Sequence, residues 1–245
     1  HEIPRDVLAE YALKDAELTY KIYLKQREIL PPHQQRLFSL MCQDQLVLQE
    51  MEWNGLVINE NLAEQKAQEL ETKIQEIQSK LDLFHSVPGF NWASSDHLSA
   101  LLYGGTITQV VREPNGLYKT GARVGQVKFR RVTRAYHLPR RYKPIKNSAL
   151  KKEGYWSTDE ITLRRLHGNR DLIEGILEIK GMEKLISTYL RGFPKRRRDC
   201  FWKPGMIHSS LNQCVVATGR LSSTAPNCQN LPLEMVGEIF PTRYP

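Results

Sequence analysis

Ala63, Ala67, Leu70, Ile74, Ile77, Leu81 and Phe84 recur at alternating intervals of four and three. That spacing averages close to one helical turn, so all seven fall on a single narrow stripe, and Glu, Lys and Gln occupy the positions between them. The segment predicts a long helix over 60–84 that needs a partner along its whole seam. A second stripe, Leu172, Ile173, Ile176, Leu177, Leu185, Ile186 and Tyr189, predicts a helix over 170–190. Two long helices sharing one seam make a helical hairpin. Periodicity does not say what such a hairpin is for.

The rest of the chain is punctuated around that pair. Val7, Leu8, Tyr11, Leu18, Ile22 and Leu30 predict an amphipathic helix over 5–30, which Pro31 and Pro32 stop. Leu37, Leu40, Met41 and Leu48 predict a buried face on the next helix, running to Trp53, with a turn at Asn54-Gly55. Ser94-Ser95-Asp96 caps a short apolar helix containing Leu98, Leu101 and Leu102, ended by Gly104-Gly105. Residues 106–152 mix β-branched residues, Pro, Gly and cations, which predicts loop and ragged strand. Ser157-Thr158-Asp159-Glu160 restarts helix. There is no internal repeat and no low-complexity tract.

The net charge of +8 is unevenly spread: −7 over residues 1–100, +12 over 112–152 and +3 over 153–245. Glu113 is the only acid in the middle segment, which includes Lys128, Arg130, Arg131, Arg134, Arg140, Arg141, Lys143 and Lys146, with Tyr136, His137 and Tyr142 interleaved. Such a footprint suits a polyanion, although a solvated basic loop without a fixed partner gives the same pattern. Lys195-Arg196-Arg197-Arg198 repeats it on a smaller scale. No apolar run approaches the ~18–20 residues that span a bilayer, and nothing near His1 resembles a signal peptide. Cys42, Cys200, Cys214 and Cys228 form no CxxC pair, so a disulfide framework or zinc site is not expected. Each is expected as a small buried side chain in a reducing, cytoplasmic setting.

Residues 213–232 are of another kind. Gln213, Thr218, Arg220, Ser222, Ser223, Thr224, Asn227, Gln229 and Asn230 surround Gly219, Pro226 and Pro232, with Val215, Val216, Leu221 and Leu231 spaced among them. This reads as a rigid donor-bearing loop held against a folded body. Every Watson–Crick pair presents an acceptor in the minor groove, so donors there grip any sequence while sensing pair shape. Arg220, Gln229 and Asn230 have that chemistry. A surface loop stabilised by Asx-type turns around the prolines is the plainer alternative.

Thr-Gly-Arg-Leu-Ser-Ser-Thr (218–224) followed by Pro-Asn-x-Gln-Asn-Leu-Pro (226–232) closely resembles the segment that opens the palm of family A DNA polymerases. Met51-Glu52-Trp53-Asn54-Gly55 resembles the family's Met-Glu-x-x-Gly turn, and residues 205–213 resemble the strand leading into the palm. The fold implied is α+β and mainly α: long antiparallel thumb helices with a basic irregular insertion, then the first antiparallel palm strands. The implied domains are the end of a 3′–5′ exonuclease (1–30), the thumb and connecting helices (31–204, insertion 106–152), and the start of the palm (205–245). The insertion is more like that of bacteriophage members. Ala225 departs from the family's usual Asp.

The resemblance implies a DNA-directed DNA polymerase acting in replication, cytoplasmic in its host. Its partners would be primer-template DNA and deoxynucleotides. The DNA contacts implied are Thr188 and Tyr189 of Ser187-Thr188-Tyr189, together with Gln213, Thr218, Arg220, Ser222, Asn227, Gln229 and Asn230. Lys128, Arg130, Arg131, Arg134, Arg140 and Arg141 are the backbone contacts expected of the thumb tip. Tyr189 lies on the apolar stripe and His208 in an alternating strand, so packing explains either equally well.

Tyr11 and Asp15, four apart on one helix face, resemble the last exonuclease motif, in which Asp binds a divalent metal and Tyr positions water. Tyr155 and Asp159 show the same spacing. Two-metal phosphoryl transfer needs paired carboxylates, and residues 233–245 lack the family's Asp-Tyr-Ser-type strand. Mg2+ and nucleotide are therefore expected to bind a palm and fingers beyond these residues, in the same polypeptide or a second one. A non-catalytic DNA-binding remnant is the remaining alternative.

Overall fold

The computed structural model describes residues 4–235 and 237–241, apart from the side chain of Glu234. Backbone contacts divide the chain into two compact units, one formed by 59–199 and the other by the segments on either side of it.

The 59–199 unit is built on the predicted helical pair. Helix α3 (Glu60–Leu81) is capped by the Asn59 carboxamide oxygen, which accepts from Leu62 N. Its stripe is buried at Ala63, Ala67, Ile74 and Leu81 and half-buried at Leu70 and Ile77. Helix α6 (Arg170–Leu185), capped by Asn169, buries Leu172, Ile173, Ile176, Ile179 and Met182. The two run antiparallel. Near the start of α6, a Cβ on Gly175 would lie 3.0 Å from Leu81 and 3.3 Å from Ile77, at the end of α3. Beyond the end of α6, Arg191 reaches Glu64 and Glu71, and Arg197 reaches Glu60. The absence of a side chain at Gly175 lets the backbones close up, as ridge-in-groove packing of small residues requires.

Between these helices, α4 (Ser95–Tyr103) buries Leu98 to Tyr103 and is capped by Ser94, as the sequence predicts. It leads directly into β2 (Gly105–Leu117), which pairs antiparallel with β3 (Val127–Leu138). The insertion is therefore more ordered than loop and ragged strand, with continuous register from Gly105↔Leu138 to Pro114↔Phe129. Alternation gives the ribbon two faces. Ile107, Tyr136 and Leu138 pack with Val87, Ala100 and Phe90, whereas residues 127, 129, 131, 133, 135 and 137 are all exposed. The chain then runs irregularly to α5 (Glu160–Arg164), capped by Asp159. After α6 come a π-helical turn, Ile186–Leu190, and α7 (Gly192–Asp199).

The second unit contains α1 (Arg5–Ile29) and α2 (Pro32–Asn54). Both helices form where periodicity places them, but the burial expected of α2 is not found. Leu37 and Leu40 are exposed, Met41 is half-buried, and Leu48 alone is buried. A 3.6-residue repeat establishes a helix and its apolar face. It cannot supply an element to cover that face, and among the described residues the cover reaches only Leu48 and Met41, the latter against Cys214.

The same unit pairs β1 (Leu56–Val57) with β4 (Met206–Ile207), and β5 (Ser210–Asn212) with β6 (Ser222–Thr224), both antiparallel. Gly55, at φ 65°, is where the geometry demands glycine: a Cβ would sit 2.7 Å from the Ile207 carbonyl oxygen and 2.8 Å from the His208 ring. The cysteines also depart from expectation, since Cys42 and Cys214 are exposed and Cys200 and Cys228 only partly covered.

Candidate nucleic-acid interface

The donor segment is organised from the inside by one hydroxyl. Ser223, buried on β6, donates to the Pro226 carbonyl (3.3 Å) and accepts from Cys228 N (2.9 Å). The Asn227 side-chain oxygen accepts from Gln229 N (3.0 Å), an Asx turn that leaves the Asn227 amide hydrogens available. Across the ribbon, Asn212 Nδ2 donates to Thr224 Oγ1 (3.0 Å). Gly219 (φ 75°) turns the connection back toward β6, and its N–H donates to the Val216 carbonyl.

Thr218, Arg220, Asn227, Gln229 and Asn230 are exposed on this frame, and Gln213 is half-buried at its start. Ser222 differs: its hydroxyl oxygen is shielded from solvent and has no hydrogen-bond partner among the described residues. The Asx turn expected as the plain alternative is thus present together with a row of outward donors. Burial holds the Cys228 thiol above its usual range, so it stays protonated near neutrality.

The frame rests on the Met51–Gly55 turn. His208 Nδ1 donates to the Glu52 carbonyl (2.8 Å), and Glu52 Oε1 accepts from Leu211 N (2.5 Å). Trp202 meets the His208 ring edge-on at 5.3 Å. His208 is a packed, hydrogen-bonded histidine here. Its partner Glu52 is a positioning residue that sequence reading missed, because the two lie 156 positions apart.

In the 59–199 unit, Ser187-Thr188-Tyr189 forms the π turn itself, closed by Arg191 N donating to the Ile186 carbonyl (2.9 Å). Ser187 and Thr188 are exposed, while Tyr189 is half-buried edge-on to Phe193 (5.5 Å). Two constraints hold the turn. A Cβ on Gly192 would lie 2.3 Å from the Ser187 carbonyl oxygen, so only glycine fits. The Arg191 guanidinium makes paired bonds to both Glu64 and Glu71, which raises its own pKa and holds the Glu64 carboxyl below its usual range. Neither constraint is visible in local sequence.

Most of the six expected basic contacts have intramolecular work. Glu113 is paired with Arg134 and lies 3.6 Å from Arg130. Arg140 Nε donates to the Tyr103 carbonyl (3.2 Å). Arg141 donates to the Phe84 carbonyl (2.5 Å) and stacks 5.6 Å above that ring. Lys128 and Arg131 are exposed. On α7, Arg197 bonds Glu60, whereas Lys195, Arg196 and Arg198 face solvent.

Tyr11 and Asp15 are exposed on α1. Among the described residues no three His, Cys, Asp or Glu side chains group so as to hold a metal ion. These residues do not fit a two-metal centre. No helix among the described residues is long and apolar enough to cross a membrane.

Residues 135–239, which carry β6, its donor loop and the π turn, match the model of DNA polymerase family A. Over that span, 105 of 245 residues, the chain is similar to the family. Curated relatives include DNA polymerase I of Synechocystis sp., 43% identical over 88 residues that cover 36% of this chain and 8% of that one. DNA polymerase I of Bacillus subtilis is 28% identical over 78% of this chain and 17% of its own length. DNA polymerase I of Treponema pallidum is 27% identical over 95% of this chain and 19% of its own. The chain thus spans under a fifth of the length of each of these relatives. A solved structure, the POL domain of Pol1 from M. smegmatis with DNA primer-template and dNTP, has a TM-score of 0.49 at 22% identity. It covers 76% of this chain and 25% of that one.

Proposed function

We propose that this chain is the duplex-gripping part of a DNA-directed DNA polymerase, running from the end of a 3′–5′ exonuclease (1–30) through the thumb (31–204) into the palm (205–245). The observation that carries the reading is the Ser223-braced loop presenting Thr218, Arg220, Asn227, Gln229 and Asn230 outward. Fixed donors of this kind suit minor-groove acceptors, which hardly vary with sequence. The exposed hydroxyls of Ser187 and Thr188 suit phosphate oxygens, which position a duplex without reading it. When bound, Mg2+ would supply the phosphoryl-transfer chemistry, on carboxylates other than those described here. In this reading Tyr11 and Asp15 are the exonuclease's last motif. The basic insertion favours a bacteriophage-like member acting in its host's cytoplasm.

Arg220→Ala tests the reading in the complete enzyme. A lost charge-assisted contact at a seated primer end should lower extension roughly ten- to hundredfold while duplex binding falls only about twofold. Unaltered extension would remove Arg220 from the sensing role. Mixing the chain with a separate palm-and-fingers polypeptide distinguishes a split enzyme, which regains synthesis, from a DNA-binding remnant, which does not.

A further inference from the structure

We propose that the outward face of the β2–β3 ribbon is a binding site for single-stranded nucleic acid, separate from the duplex grip and resting on the polymerase reading only for its context. Register places Arg112 directly opposite Arg131. Both belong to the outward set, both are exposed, and neither has an ion-pair or hydrogen-bond partner among the described residues. Like charges facing each other across a ladder destabilise it unless an anion lies between or above them. The ribbon's one acid, Glu113, cannot relieve them, because it is on the other face with Arg130 and Arg134. Evenly scattered solubilising charge would not produce this division. All the neutralisation is on one side of the ribbon, and two unneutralised guanidiniums are paired on the other.

The neighbours of the pair decide the class of ligand. The next outward rung is Pro114↔Phe129, and Phe129 is 55% exposed; the rung on the other side is Val110↔Thr133. An exposed aromatic ring one outward rung from two guanidiniums suits a strand whose bases are free to stack and whose phosphates lie alongside. A duplex hides its base faces and could use the arginines but not the ring. An acidic peptide could use the charges but has no flat π surface for Phe129.

The test measures fluorescence anisotropy of the full chain with an oligothymidylate of about 12 nucleotides, a blunt hairpin duplex and polyglutamate, each titrated with salt. Arg112→Gln with Arg131→Gln should weaken single-strand binding at least tenfold and reduce the slope of log affinity against log salt by about 1.4, for two single-strand phosphates. Phe129→Ala should weaken it roughly tenfold with the slope unchanged, because stacking releases no counterions. Arg164→Gln with Arg165→Gln, removing the same charge at the C-terminal end of α5, should change neither. The proposal is overturned if the ribbon variants bind oligothymidylate within twofold of the parent, if they lose duplex binding equally, or if polyglutamate binds as tightly. Failure of the parent chain to bind duplex while it still binds the single strand would instead remove the polymerase-grip reading and leave this site standing.

Discussion

Helices α3 and α6 and helices α1 and α2 all carry apolar repeats, more sharply confined to one face in the first pair, and they have opposite fates. The first pair buries its stripes against each other, down to full burial of Ala63, Ala67 and Leu172. The second leaves Leu8, Leu13, Ile22, Leu37 and Leu46 exposed, with a tilted Tyr23–Phe38 ring pair at 6.3 Å between the helices. Helix formation is local, whereas burial needs a complementary surface at the right distance, which Gly175 provides for the first pair against Leu81 and Ile77.

The largest effect should come from Leu172→Ala, which empties a fully buried site and should cost about 2–5 kcal/mol by urea denaturation. Leu13→Ala on α1 should cost less than about 0.5 kcal/mol. Comparable losses would show that the α1 face is covered in solution and would erase the contrast. Gly192→Ala comes next, at about 1–3 kcal/mol, because the new methyl group must push the Ser187 carbonyl out of the π turn. Circular dichroism melting should register it. Arg191→Met should cost about 1 kcal/mol, since the pair of bridges to α3 is partly solvated, but it should loosen duplex binding through Ser187 and Thr188.

The smallest effect concerns pH. His85, stacked on Phe90 at 4.2 Å and beside Trp92, has its pKa lowered chiefly by burial, and His97 is lowered for the same reason. The groups facing His85 are Asp82, which opposes the shift, and Arg141 and His97, which add to it. A depressed histidine pKa means the unfolded chain binds the proton more tightly. Stability is therefore full above the unfolded value of about 6.5 and declines as pH falls through the folded value. His85→Phe should flatten that decline in melts between pH 7 and 5. An unchanged slope would assign the decline to other groups.

What could be read from sequence follows the range of the interaction. The α3 seam and the caps at Ser94 and Asp159 are encoded within a turn or two, and they appear where expected. The β2–β3 ribbon was harder to read. Gln109, Glu113, Arg130 and Arg134 interrupt its inward face, so the period-2 hydrophobic signal survives only at its base. The internal roles of Arg140 and Arg141 were hidden by their membership of a charge run. Glu52 under β5 and Arg191 on Glu64 and Glu71 join positions more than a hundred residues apart, which no local pattern encodes. The donor loop was legible in its residue types, and its internal brace at Ser223 was not.

That brace has a kinetic consequence. Because Ser223 closes the 223–228 turn with the chain's own carbonyl and amide, the loop spends its ordering entropy during folding, before any ligand arrives. Encounter with a polyanion then needs no conformational search in this segment. Its rate should be limited by diffusion and electrostatic steering, and so depend on ionic strength far more than on viscosity-independent loop motion.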